Sequence, residues 1–475
     1  MMDARELGRR LREALDADAV KTAPEDLAAY SFDACGDARL PDAAVLPNDA
    51  RDVSAIVRIA RDCGVPLVAR GAGTGLCGGA IPVAGGIVVS FARMNRILSL
   101  DIPGRRVRVQ AGLVNMDLSR AVAVHGLYFG PDPSSQKSST LGGNAATNAG
   151  GPRAFSCGSM SAHVLGIEFV DATGDIVATS SDDPGYDLTA ALVGSEGTLG
   201  IVTSLDLRLL RAPRAVRVAL AAFDAIETAS ACVSEIVAAG IGATALEIMD
   251  RTIVRAVEAH YAAGYPLEAG AVLLVELAGE PADVEAGERA VAKLAHDHGA
   301  LAWRSASGAR ERDALWAARK GAAGAIGRIA PNYYIQDATV PRTRLPQAMR
   351  AVEAIGRDCG LPVGNVVHAG DGNLHPLIMF DRRVQRQREA VVAAGHDILA
   401  ACIELGGTIS GEHGIGYEKR ETLPLVYSSD DIATMQRLHD AFDPSRLFNP
   451  DKIFPRGPVC EEVAVPVAVD ASVKA

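Results

Sequence analysis

The stretch RGAGTGLCGG, residues 70 to 79, decides how the first half of this chain is read. It follows a short apolar run, Pro66 to Ala69, that predicts a strand, and residues 73 to 78 satisfy G-x-G-x-x-G literally. A dinucleotide-binding βαβ unit needs a helix that begins inside such a motif and aims its N-terminus at pyrophosphate. Here Pro82, Gly85 and Gly86 interrupt the chain before another strand, Ile87 to Phe91, so that reading fails on context. What remains is a loop dense in backbone N–H groups, which can wrap a pyrophosphate without a helix dipole, or else a turn with structural duties alone.

Working outward, helical periodicity covers Leu7 to Leu15 and Val53 to Cys63, the second closing at Gly64. Strands are expected at Arg106 to Gln110, Val164 to Val170, Ile176 to Ala178 and Ile201 to Leu209, with a helix at Asn115 to His125. A glycine- and serine-rich stretch, Gly130 to Ser161, separates them. From Val216 strands alternate with long helices (Ala225 to Ala239, Val284 to His298), which predicts an antiparallel sheet covered on one side. The expected organisation is α+β. It comprises a helical segment over 1–36, a nucleotide-binding unit over 37–214, a substrate (cap) unit over 215–380, a helical segment over 381–457 that completes the active site, and a loosely tied tail over 458–475.

Composition narrows the function. Net charge is −11 without basic clustering, which gives nucleic acid no electrostatic footprint. No apolar run approaches the roughly 20 residues that span a bilayer, and the N-terminus lacks the apolar core of a signal peptide. The eight cysteines include no C-x-x-C pair, so reduced thiols in the cytoplasm are expected, with no iron–sulfur cluster on this chain.

A second signal is chemical. NVVHAGDGNLHP (365–376) sets His368 and His375 around a D-G-N turn, and SGEHGIG (410–416) adds Glu412 and His413. Two imidazoles and a carboxylate suit a divalent metal with open positions, zinc first and iron(II) or manganese(II) next. A single histidine more often bonds a backbone partner, but these residues are concentrated in two glycine-punctuated segments.

Arg70–Gly79, PDPSSQKSSTLGGNAATNAGG (131–151) and GSEGTLGIVT (194–203) resemble, in order, the FAD domain of the vanillyl-alcohol oxidase/p-cresol methylhydroxylase type. The resemblance implies that Arg70, Gly71, Ala72, Gly73, Thr74, Gly75 and Leu76 line the pyrophosphate of FAD. It places Pro131, Ser134, Ser135, Gly142, Gly143, Asn144, Asn148, Gly150 and Gly151 beside the phosphates and isoalloxazine. Glu196, Gly197 and Ile201 would serve the adenosine end and ring surroundings, with Asn449 added from the closing segment. Some members attach FAD through a histidine in the first loop; none lies between Arg70 and Gly79, so non-covalent FAD is expected.

H-x-G-D-G-N-x-H and G-E-H-G-I-G, with LWAARK (315–320), YYIQDATVP (333–341) and FDPSRLFNPDKIFP (442–455), resemble the FAD-linked-oxidase half of glycolate oxidase FAD subunits, D-lactate dehydrogenases and D-2-hydroxyglutarate dehydrogenases. That resemblance makes His368, His375 and Glu412 the metal ligands and His413 the catalytic base. Asn373 would orient substrate, Asp371 would back a ligand, and Arg319 would hold the substrate carboxylate. The implied reaction removes the hydroxyl proton of a small D-2-hydroxy acid, D-lactate or glycolate, and passes hydride from C2 to flavin N5. Electrons then leave to an iron–sulfur subunit, an electron-transfer flavoprotein, a quinone or oxygen. A place at the inner membrane through such a partner, and a homodimer, stay open. Ala323 and Ile335 stand where 2-hydroxyglutarate enzymes place polar groups, which favours a short monocarboxylate, and Lys320 and Lys419 read as surface charges. The competing readings are an FAD-containing transferase of the alkyl-dihydroxyacetonephosphate synthase type, a D-2-hydroxyglutarate dehydrogenase, and a silent subunit.

Overall fold

The computed structural model describes residues 4–456. The expected tail over 458–475 lies outside the described residues. The strand Leu67–Arg70 leads directly into the glycine loop, and no helix follows before Ile87–Ser90. These two strands pair in parallel, and Ala43–Val45 joins the other side of Ile87–Ser90. The helix Ala50–Cys63 covers this small sheet; Asp49 caps its start and Gly64, at φ +63°, ends it. The N-terminal helix Ala4–Ala14 packs Leu7 and Leu11 into the same core, so it is a layer of this unit rather than a separate segment.

A five-stranded antiparallel sheet follows, in the order Ile97–Asp101, Arg106–Gln110, Ile201–Arg208, Val164–Val170, Ile176–Ser180. The glycine- and serine-rich stretch is not all loop. Thr140 accepts the Gly143 N–H and starts a short helix, Leu141–Ala146. Leu141 and Ala145 are buried there, an anchor that composition alone hides.

The third sheet has eight strands. Its main path runs Ala302–Ser305, Ala215–Phe223, Ala271–Gly279, Ala243–Asp250, Val363–His368, Asn373–Phe380, Asn332–Ile335, and Ala338–Thr339 pairs beside Asn373–Phe380. Apolar residues point alternately to its two faces. Ala221, Phe223, Leu246, Ile248, Leu273 and Val275 meet the helices Ile226–Ala238, Pro281–Asp297, Leu345–Cys359 and Gln385–Glu404. Leu220, Ala222, Ala245, Val272 and Leu274 meet Arg251–Tyr261, Ala309–Lys320 and Ala322–Ala325. Cover on one side only is therefore corrected: both faces bury an apolar set, the second under Arg251–Tyr261, Ala309–Lys320 and Ala322–Ala325. The helix Gln385–Glu404 packs on this sheet too, whereas residues 447–449 return to the first unit, where Leu67 N–H donates to Leu447 O and Asn449 N–H to Leu67 O.

Phe223 is fully buried at the centre of the larger core. Replacing it, Phe223→Ala, is expected to cost about 3–5 kcal/mol, seen as a lowered midpoint in thermal unfolding; an unchanged midpoint would place the core elsewhere.

Candidate active site

The hairpin Val363–His368/Asn373–Phe380 presents both histidines from one face. His368 pairs with Asn373 and Val366 with His375, so His368 and His375 lie diagonally on the same side. Their ring centroids are 5.1 Å apart and nearly perpendicular. The turn between the strands needs glycine at 372: φ is +80°, and a Cβ there would lie 2.1 Å from Val340 O.

The other half of the site is the loop 410–416, held by a carboxylate that sequence reasoning did not single out. Asp337, fully buried, accepts the N–H groups of Gly411 (3.0 Å), Glu412 (3.2 Å) and His413 (2.9 Å) and the Ser410 hydroxyl (2.8 Å). Lys419 Nζ lies 3.3 Å from the same carboxylate. Burial would raise the Asp337 carboxyl, but the Lys419 charge, then His413 and His375, hold it well below the usual range. Lys419 is thus a buried counter-ion and not a surface charge, and Lys320, 2.9 Å from Asp132, is likewise paired at the cavity wall.

So anchored, Glu412 Oε1 comes 3.3 Å from His368 Nε2, 3.6 Å from His375 Nε2 and 4.0 Å from His413 Nε2. Its other oxygen accepts the Gly151 N–H at 2.9 Å. His413 stacks on His375 with ring centroids 4.6 Å apart. Burial pushes His413 down to about 4, which leaves the imidazole neutral near pH 7. Burial pulls Glu412 up, but His368 and then His375 and His413 bring it well below the ordinary carboxylate value. Donor atoms of His368, His375 and Glu412 all lie within 4.8 Å of one another, as do those of Asp337, His375 and His413.

Behind His368 stands Glu247, a second residue the sequence reading passed over. Its Oε1 meets His368 Nδ1 at 2.8 Å, and its other oxygen pairs with Arg319. A carboxylate on Nδ1 leaves Nε2 to face Glu412, the arrangement that orients metal-ligating histidines. The signal existed: Glu247 interrupts the apolar strand ATALEIMD, and an unpaired buried charge is not tolerated there. Asp371 does not fill the backing role; it is exposed at the turn and accepts the Asn373 N–H. Asn373 is buried against Gly411, outside the cavity lining, and Arg319 is bound to Glu247 rather than free.

These groups open into one cavity of about 520 Å³ that also reaches the glycine loop. Arg70 to Leu76, Ser134, Ser135, Gly142, Gly143, Asn144, Glu196 and Gly197 line it. Pro131, Asn148, Gly150, Gly151, Ile201 and Asn449 do not. Ile201 is in the core, Asn148 Oδ1 accepts from Ser159 and Ser161, and Asn449 Nδ2 bonds Gly79 O and Glu196 O from behind the loop. The Glu196 carboxylate is itself occupied, accepting the N–H groups of Ile415 and Gly416 at 2.7 Å. Among the lining glycines, Gly71, Gly73 and Gly142 pack so closely on Thr140, Arg70 and Ala111 that a Cβ would clash, while Gly75 has room for one and Gly79 faces open space.

The fold and site define an FAD-dependent oxidoreductase with the vanillyl-alcohol oxidase type of FAD-binding architecture. The model of the FAD binding domain matches residues 41–180, and that of the FAD linked oxidases, C-terminal domain, matches 212–453. The chain belongs to the FAD-linked oxidase family. It is 42% identical over 456 residues to glycolate oxidase subunit GlcD of Escherichia coli (strain K12), covering 95% of this chain and 91% of that protein. It is 39% identical to glycolate oxidase subunit GlcD of Bacillus subtilis (90% and 92% covered) and 30% identical to a mitochondrial D-lactate dehydrogenase [cytochrome] of Arabidopsis thaliana (88% and 74%). Among solved structures, 4-ethylphenol oxidase from Gulosibacter chungangensis superposes with a TM-score of 0.77 at 18% identity (95% and 97% covered), and alkyldihydroxyacetonephosphate synthase with 0.76 at 20% (94% and 86%). At such identity these two share the fold alone.

Asp337→Ala would strand the Lys419 charge in the interior, at an expected cost of about 3–5 kcal/mol. The double variant Asp337→Ala/Lys419→Met is expected to recover part of the lost thermal midpoint. Equal midpoints for the single and double variants would show that the pair is not coupled.

Proposed function

We propose that this protein oxidises a small D-2-hydroxy acid, glycolate or D-lactate, to the 2-oxo acid, with electrons passed to an external acceptor. The observation that carries the reading is the convergence of a glycine-lined nucleotide trough and a His–His–Glu cluster on one cavity. FAD supplies the redox chemistry when bound, and a divalent cation held by His368, His375 and Glu412, zinc favoured by two imidazoles and a carboxylate, supplies Lewis acidity. His413 takes the hydroxyl proton at its ring nitrogen, held in place by the stack on His375 and by its backbone N–H to Asp337. Arg319, through Glu247, fixes His368 at the cavity wall.

Substrate length follows from the wall. Ala323, Tyr333, Ile335, Val366 and Leu377 line the cavity together with the histidines and offer no cation to a second carboxylate. Lys320, on the same wall, is already paired with Asp132. That supports a short monocarboxylate over 2-hydroxyglutarate. The intact set His368, His375, Glu412 and His413 favours a dehydrogenase over a transferase on the same fold or a silent subunit. Among the described residues no helix is long and apolar enough to cross a membrane. We assign the protein to the cytoplasm, meeting a membrane through a partner. The acceptor is proposed to be an iron–sulfur subunit, an electron-transfer flavoprotein or a quinone.

Anaerobic addition of D-lactate or glycolate is expected to bleach the flavin absorbance, and chelation to abolish the bleaching. D-2-Hydroxyglutarate and L-lactate are expected to react far more slowly. A bound flavin that no hydroxy acid reduces would transfer the weight to the transferase reading. His413→Asn is expected to lower kcat by roughly 10²–10⁴-fold with flavin and metal content retained; wild-type turnover in that variant would move the base elsewhere.

A further inference from the structure

The segment 446–453 is unusual in its backbone and in its charge. Arg446, Asn449, Asp451 and Ile453 all take positive φ, between +44° and +65°, which non-glycine residues adopt only when their surroundings hold them there. Within this segment Lys452 and Asn449 tie the chain to the glycine loop. Lys452 is 4% exposed, and its Nζ donates to the carbonyls of Gly78 (2.5 Å), Ile81 (2.8 Å) and Gly79 (3.3 Å). Asn449 Nδ2 adds a hydrogen bond to Gly79 O at 3.0 Å and one to Glu196 O at 2.9 Å.

Lys452 makes no ion pair among the described residues. The acids that face it are already engaged: Asp33 accepts the N–H groups of Cys35 and Ala80, and Glu196 those of Ile415 and Gly416. Cys35 and Arg420 are the remaining titratable neighbours. Burial lowers Lys452 to about 8, so the ammonium is still largely protonated at neutral pH, and it sits behind Gly79 and Ala80, which line the cavity. On the cavity side of the loop the Arg70 guanidinium is likewise held by carbonyls, those of Phe32 and Ala29, so Lys452 is a second positive charge at the trough.

We propose that Lys452 supplies, from behind the glycine loop, the positive charge that balances the diphosphate of FAD, and that Asn449 and Lys452 together hold the loop in its binding shape. Both are positioning residues that do not line the cavity. The charge acts through one peptide layer on a diphosphate that dissolved ions can reach, so its effect falls as ionic strength rises. In the other direction, a bound diphosphate offsets the cost of burying the ammonium.

The test is FAD affinity of the full-length apoprotein, followed by flavin fluorescence quenching at several salt concentrations, a readout independent of which acid is oxidised. Lys452→Met is expected to weaken FAD binding by roughly tenfold or more and to flatten its salt dependence. Lys452→Arg is expected to restore both in part. Asn449→Ser, which cuts the loop tie and keeps the charge, is expected to weaken binding with the wild-type salt slope. Metal content, measured in parallel, is expected to stay at the wild-type level in all three. An FAD affinity of Lys452→Met within about threefold of wild type, or a weaker affinity with an unchanged salt slope, would overturn the proposal. So would loss of FAD and metal together without rescue by Lys452→Arg, the pattern of a purely structural lysine.

Discussion

The Asp337 carboxylate is the constraint on which the active site depends. A loop that must carry Glu412 and His413 side by side has backbone N–H groups with no helix or sheet to receive them. Asp337 collects those of Gly411, Glu412 and His413 in one place. An anion in a nest of N–H groups fixes the loop more tightly than neutral bonds would, and the buried Lys419 balances the charge. The histidine hairpin, by contrast, is held by ordinary sheet pairing. The cluster therefore joins one rigid element to one loop that a single carboxylate makes rigid.

The same device recurs where the sheets meet. Glu196, in the first unit, accepts the N–H groups of Ile415 and Gly416, and Gly151 N–H donates to Glu412. Arg153, from the glycine-rich stretch, reaches Glu276 on the eight-stranded sheet at 2.7 Å and Asp132 at 3.0 Å, while Trp316 Nε1 donates to Glu276 at 2.8 Å. Buried ion pairs of this kind contribute little net stability, because desolvation offsets attraction. Their consequence is register: each is satisfied only when the nucleotide trough and the histidine cluster stand in one relative position. Hydride transfer needs the reacting atoms within a few tenths of an ångström of a productive geometry, and polar contacts that tolerate no sliding supply it.

Charge also divides the cavity. Its catalytic end gathers imidazoles and carboxylates, its middle wall is aliphatic at Ile335, Val366 and Leu377, and its far end is glycine backbone. Each region suits one component: a cation with its hydroxy acid, a short side chain, and a dinucleotide. An FAD-linked oxidase needs all three within one enclosure, since water admitted to the middle would weaken the electrostatics at the catalytic end.

Residue order alone carried the α+β class, the absence of a helix after the glycine loop, and the placing of His368 and His375 on either side of a turn. These depend on local chemistry: glycine spacing, strand alternation and turn residues act within a few positions. It also carried the family, because motifs such as H-x-G-D-G-N-x-H survive as contiguous strings. The residues that escaped it are those whose role is set by partners far along the chain. Glu247 lies 121 positions from His368, and Asp337 lies 76 from His413. Lys419 looked like a surface charge and is buried; Asn449 looked like a cofactor contact and stands behind the loop. The second covered face of the large sheet was likewise hidden, since a helical pattern does not say which face of a sheet its apolar side will meet. Burial decides whether a charge is solvated or must find a counter-charge, and burial is a property of the packed molecule, not of any one segment.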